Sequence, residues 1–285
     1  MERRGFQGVK RRASVVNGIF YPENQDTLKE ELSSWGLKEG SSSSRSRTQA
    51  IIAPHGAWNL TGSIAATAFS AVQKKRGKKS APVSRVLLLG THHHFVEDGI
   101  YLSESASFET PLGDIQVDQK MNRELASCST GIRINDIPHL SEHSIEVLLP
   151  MVKYCFPNAK IVPLLMKSGN KALISSLGGA LKVVFERHLE ESLIVISSSV
   201  SQAADPAIAR NMAEEFRTHL EKMDTAGYKE SLASGSISAC GGALIGAVME
   251  SGIFKGRKFS SVCPFSHDHE ENSETVYYGA FVLSD

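Results

Sequence analysis

"AIIAPHGAWNLTGSIAATAF", residues 50 to 69, passes from an unbroken apolar run to apolar and small residues at helical spacing. The run Ala50 to Ala53 is too short for a helix and suits a strand buried on both faces, whereas Ser63 to Val72 follows the helical period. A strand leading directly into a helix is the building unit of an α/β domain. His55 stands at the joint. A histidine there can cap a helix, fill a gap or hold a ligand, and the rest of the chain has to decide.

The same unit returns along the chain. Val86 to Leu89, Ile161 to Leu165 and Leu193 to Ile196 are short apolar runs suited to buried strands. Lys171 to Glu186 and Ala207 to Met223 carry helical patterns, and Gly241 to Ser251 reads as a helix of small residues. "KFSSVCPF" (258–265) and "ETVYYGAFVL" (274–283) read as late strands. Asn24 to Trp35 is expected to be a helix with Leu28, Leu32 and Trp35 on one face and Gly36 as its stop. No internal repeat or long linker divides the chain, and "EGSSSSRSRTQ" (39–49) is only a polar loop. The expected fold is α/β, a single domain over 13–285 with a central, largely parallel mixed sheet flanked by helices. A flexible basic arm is expected over 1–12.

Composition narrows the function classes. The 31 Lys and Arg balance 31 Asp and Glu, so no overall charge calls for nucleic acid. "KKRGKK" (74–79) lacks an aromatic stacking motif and reads as a solvated loop. No run approaches the ~18 apolar residues of a membrane span. The basic start has no apolar signal-peptide core, so a soluble, cytoplasmic protein is expected. Cys128, Cys155, Cys240 and Cys263 are scattered without a CxxC pair, which argues against a disulfide framework. The first two and Cys263 read as buried, reduced thiols. Neither a P-loop nor a dinucleotide-binding glycine pattern follows a strand.

In open α/β sheets, ligands collect beyond the carboxyl ends of the strands. Three such ends carry polar residues: "AIIAPH" ends in His55, "VLLLGTHHH" in His92, His93 and His94, and "LIVISSSVSQ" in Ser197, Ser198, Ser199 and Gln202. Neutral imidazole is the commonest protein metal ligand, yet a histidine run is equally readable as a solvated loop. In "HLSEHSIEVLLP" (139–150), Ser141 is a fair N-cap and Glu142 suits a first helical turn, so Glu142 and His143 either open a helix or line a pocket mouth. Cys240, before Gly241 and a small-residue helix, is either a buried turn residue or a thiolate favoured by the helix dipole.

Taken together, the segments resemble the Memo family, which includes the prokaryotic proteins called AmmeMemoRadiSam system protein B. "IIAPHGAWNLTG" (51–62) resembles the family's IIAPHAGYxYxG, and "LLLGTHHHF" (87–95) its LGPSHH. "FETPLGDIQVD" (108–118) resembles xRTPLGDxxVD, "EHSIEVLLP" (142–150) resembles EHSxExxLP, and "SACGGALIG" (238–246) resembles xxCGxxPIG. "RASVVNGIFYP" (12–22) and "VYYGAFVL" (276–283) resemble its first and last segments. The family in turn resembles the class III extradiol, LigB-like dioxygenases, whose non-haem iron is held by two histidines and a carboxylate. In Memo-like proteins the corresponding trio is two histidines and a cysteine, carried over here onto His55, His93 and Cys240.

A thiolate in place of a carboxylate favours copper, iron or zinc. The resemblance thus implies a transition-metal site with copper- or iron-dependent redox activity. It does not imply ring cleavage. The family's SSDFxHWG reads "SSSVSQAAD" here, which puts Ser199 and Gln202 where Asp and the usual basic histidine stand. His143 and His94 are then the catalytic candidates, His143 as a proton donor. His92, Glu142, Ser199, Gln202 and Trp58 are expected to line the pocket, with His92 or His143 replacing the lost base. The alternative is a non-catalytic signalling adaptor whose old cleft binds a peptide or small anionic ligand.

Overall fold

The structure is a computed structural model that describes residues 11–40, 48–73, 82–167, 170–268 and 274–284. In chain order it contains β1 (Arg11–Arg12), α1 (Gln25–Ser34), β2 (Ala50–Ala53), α2 (Trp58–Gln73), β3 (Arg85–Thr91), β4 (Gly99–Leu102), β5 (Ser107–Phe108) and β6 (Ile115–Gln116). There follow α3 (Gln119–Ser127), β7 (Ile132–Ile134), α4 (Ile137–Leu140), α5 (Leu149–Cys155), β8 (Lys160–Lys167), α6 (Lys171–Phe185), β9 (Ser192–Ser197) and β10 (Ser201–Ala203). The chain ends with α7 (Pro206–Lys222), α8 (Thr225–Ser234), α9 (Gly242–Ser251), β11 (Lys258–Ser261), β12 (Ser266–Asp268), β13 (Thr275–Tyr278) and β14 (Phe281–Ser284).

The central sheet has the order β11-β14-β2-β9-β3-β8-β4-β7. Its four inner strands β2, β9, β3 and β8 are parallel, while β14 and β4 join them antiparallel. This is the largely parallel mixed sheet that the sequence implied. Strand side chains alternate between faces, and both faces are covered. Ile52, Leu87, Leu89, Val162, Leu164, Ile194 and Ile196 belong to one core with α6 and α9. Ile51, Val86, Leu88, Ile161, Leu193 and Val195 belong to the other with α1, α2 and α5. Two buried faces explain why these strands read as unbroken apolar runs rather than alternating ones.

Several local expectations change. Arg11 and Arg12, read as part of the arm, pair with Ser107 and Phe108, and Arg12 is buried; residues 1–10 of that arm lie outside the described residues, as does "KKRGKK". "ETVYYGAFVL" forms two strands in different sheets, β13 beside β10 and β12, and β14 in the central sheet. Ser141 is not an N-cap: it closes the C-terminal end of α4, and the next helical turn begins at Glu146. Cys155 is buried, but Cys128 is exposed at the end of α3, its thiol donating to Glu124 O at 3.3 Å. Among the described residues, no helix is long and apolar enough to cross a membrane.

Candidate metal centre

The neighbours β2, β9 and β3 end together, Ala53 opposite Ser197 and Leu89 opposite Ile196. Their carboxyl ends therefore deliver His55, Ser197 and the histidine run to one place. The segment 142–146 crosses over these ends. Ser144 Oγ donates to Thr91 O at 2.7 Å, and Ser144 O accepts from Ser197 Oγ at 2.5 Å. This crossing requires a glycine beneath it, since a Cβ on Gly90 would lie 2.5 Å from both Ile145 Cγ2 and Ser144 Oγ. Thr91 Oγ1 donates to Cys240 O at 2.5 Å, which brings the start of α9 to the same spot.

The ligating atoms of His55, His93 and His143 all lie within 4.8 Å of one another. The His93 and His143 rings stack at 5.0 Å, and His55 stands 5.3 and 5.8 Å from them. Cys240 Sγ is 3.6 Å from His55 Nε2 and accepts Ser199 N–H at 2.9 Å.

Proton placement follows from the partners. Ser197 Oγ has one proton and gives it to Ser144 O, which can only accept. His55 Nδ1, 2.7 Å from Ser197 Oγ, must therefore donate, and Nε2 is the nitrogen facing Cys240. His93 Nδ1 lies 2.9 Å from Glu142 Oε1 and donates to that carboxylate, which makes Nε2 the atom that would ligate once its own proton is lost. Anchoring the outer nitrogen in this way orients a ligating imidazole and raises its basicity.

Glu142 is buried and accepts four hydrogen bonds. His93 N reaches Oε2 at 2.5 Å, while Oε1 takes His93 Nδ1, His143 N at 2.8 Å and Ser144 N at 2.7 Å. Burial raises its pKa, but these bonds and the charge of His93 outweigh that and hold it at about 2. Burial lowers His93, yet Cys240 and Glu142 lift it to about 9. Burial likewise raises the Cys240 thiol, and His55, His93 and Ser199 bring it well below its ordinary value. His143 is held at about 4, chiefly by burial and secondarily by the neighbouring imidazoles. It is neutral at pH 7, which suits an acceptor or ligand rather than the expected donor.

Other pocket expectations fare differently. Ser199 is present through its backbone N–H to Cys240, and its Oγ accepts Cys240 N at 3.3 Å. His94 lies at the exposed rim, 6.3 Å from the His93 and His143 rings. His92 turns into the protein between Phe95 and Tyr101, so it does not replace the lost base. Gln202 is exposed on β10 and donates to the Glu274 carboxylate. Trp58 is core: it packs on Tyr21 and Trp35 and donates Nε1–H to Val147 O at 2.9 Å. The sequence reading gave no role to Ser144 or Thr91, and Ser197 figured only as one of several strand-end serines.

The chain is similar to known proteins along most of its length. The family model described as Memo-like protein matches residues 11–282. A MEMO1 family protein of Caldivirga maquilingensis is 26% identical over 258 residues, 88% of each chain. One from Metallosphaera sedula is 28% identical over 244 residues, covering 82% of this chain and 84% of its own. Among solved structures, an uncharacterised Escherichia coli K12 protein aligns over 83% of this chain and 100% of its own, at 14% identity and a TM-score of 0.47. The chain belongs to the Memo-like protein family.

Proposed function

We propose that this protein binds a transition metal, copper or iron with zinc as a further candidate, through His55, His93 and Cys240, and that it carries out metal-dependent redox chemistry. One observation carries the reading. The Nδ1 atoms of His55 and His93 are engaged by Ser197 and Glu142, so each ring keeps Nε2 for a ligand, and His55 Nε2 lies 3.6 Å from Cys240 Sγ. Soft thiolate with imidazole selects copper, zinc or iron over magnesium or calcium. When bound, copper or iron would supply one-electron chemistry beside an oxidisable sulfur. The chain's own contributions are clear in kind. Glu142 and Ser197 orient the two rings, Ser199 N–H stabilises the thiolate, and His143 can accept a proton at a ring nitrogen. Gln202 faces elsewhere and supplies no base, which argues against ring cleavage.

An anion-binding adaptor cleft is the weaker reading. The one imidazole lifted to about 9, His93, already shares its charge with Glu142 and the Cys240 thiolate. Little positive field is left for a phosphorylated peptide or small anion. The test is elemental analysis of purified protein, with oxygen uptake measured after loading under reducing conditions. Near-stoichiometric copper or iron, lost in folded His55→Ala and Cys240→Ser variants, supports the proposal. No metal after reconstitution with Fe(II), Cu(I) and Zn(II) ends it.

A further inference from the structure

Arg12, Val15, Val16 and Tyr21 of the N-terminal segment all bond to the loop 139–146. Arg12 is 2% exposed and Glu146 fully buried. The Arg12 guanidinium donates in three directions: Nη1 to the Glu146 carboxylate, Nε to His139 O at 2.9 Å, and Nη2 to Glu142 O at 2.5 Å. A single planar group thus spans the loop from residue 139 to residue 146. Glu146 secures the other side, accepting Val15 N and Val16 N at 2.9 Å and the Tyr21 hydroxyl at 3.0 Å. The loop held in this way carries Glu142, His143 and Ser144. Phe20, from the same N-terminal segment, sets its ring edge-on to His143 at 5.3 Å.

A buried ion pair is costly to desolvate and is often no more stabilising than apolar residues of the same volume. What apolar residues could not do is fix two main-chain carbonyls and a carboxylate at once. Lysine could not do it either, because the guanidinium's rigid fork of donors is what matches three acceptors.

We infer that Arg12 is a positioning residue of the metal centre. It sets the main chain at Glu142, Glu142 sets the His93 ring, and the N-terminal segment thereby governs metal affinity. The inference rests on the proposed metal reading.

The test compares Co(II) titrations of the full-length wild type, Arg12→Lys and Arg85→Lys, each followed by Co(II) absorption well below the melting temperature. Arg85 is a control ion pair at the opposite end of β3, bonded to Asp118 and Glu191 at 2.9 and 3.0 Å. Arg12→Lys should bind Co(II) about 10-fold more weakly, the lower end of what losing a ligand's outer partner itself costs, since Arg12 acts through Glu142, and should show an altered Co(II) spectrum. Arg85→Lys should lower the melting temperature and leave affinity and spectrum unchanged. If Arg12→Lys does not fold, Glu146→Gln is read by the same titration with the same expectation. Wild-type affinity and spectrum in the folded variant, whatever its melting temperature, would reduce the pair to a structural one and overturn the inference alone. No Co(II) binding by the wild type would overturn the metal reading and this inference with it.

Discussion

Glu142→Gln removes a charge from the most heavily bonded side chain of the centre while keeping its shape. The carboxylate accepts four bonds, three at Oε1 and one at Oε2. An amide offers one acceptor oxygen. Placed at Oε1 it keeps three bonds, but its NH2 then faces His93 N–H, donor against donor. Each hydrogen bond to a charged group is worth about 1.5–3 kcal/mol, so one lost bond and the lost charge should weaken metal binding by about 10–100-fold. The proton on His93 modifies this. With His93 lifted to about 9 by Cys240 and Glu142 against burial, a metal arriving at pH 7 displaces a proton, at a penalty of up to about 100-fold. The variant holds that proton less tightly. Its deficit should therefore be partly masked near pH 7 and largely visible at about pH 9.5, where His93 is mostly neutral in both proteins. Competition titrations against a chelator of known affinity at both pH values measure this. Equal affinity at the higher pH, or a deficit greatest at neutral pH, would refute the orienting role of Glu142.

Ser197→Ala frees His55 Nδ1 and should cost about 10-fold in Co(II) affinity with little change in far-UV circular dichroism; unchanged affinity would mean that His55 needs no anchor. Gly241→Ala places a Cβ 2.7 Å from Ser197 O, so a backbone shift should destabilise the fold by about 1–3 kcal/mol and weaken metal binding as well; a wild-type urea midpoint would contradict that close approach. His139 is fully buried and held at about 4, by burial first, against about 6.5 in an unfolded chain. Between those values only the unfolded chain takes up the proton, so stability is full above pH 6.5 and falls by up to about 3 kcal/mol as pH drops to 4. His139→Gln should flatten that acid limb in urea titrations, and an unchanged limb would assign it to other groups.

The sheet was legible because its inner strands are buried on both faces, which leaves uninterrupted runs such as Val86 to Leu89 between helical patterns. His55 and His93 were legible for a related reason, since polar residues directly after such runs fall at the ligand-binding edge of the sheet. Cys240 was legible only through the family motif, because nothing in its own neighbourhood shows that α9 begins beside Thr91. Glu142 had a sufficient local explanation as a helix opener, and its actual bonds depend on how 142–146 crosses Gly90. Arg12 sits in a basic stretch that looks solvated, and its partner Glu146 is 134 residues away. His92 shows the limit of reading a run, because adjacent residues leaving a strand point to different sides. One entered the cluster and its neighbour entered the core.

In the proposed function, Cys240 and the two imidazoles hold one metal ion together. Anaerobic titration of the wild type and Cys240→Ser with Co(II), watched for thiolate-to-metal charge-transfer absorption, tests it most directly. A band that saturates at one equivalent is expected in the wild type, and none in Cys240→Ser or His55→Ala. Tight binding with no such band, or a band unchanged by those substitutions, would contradict it.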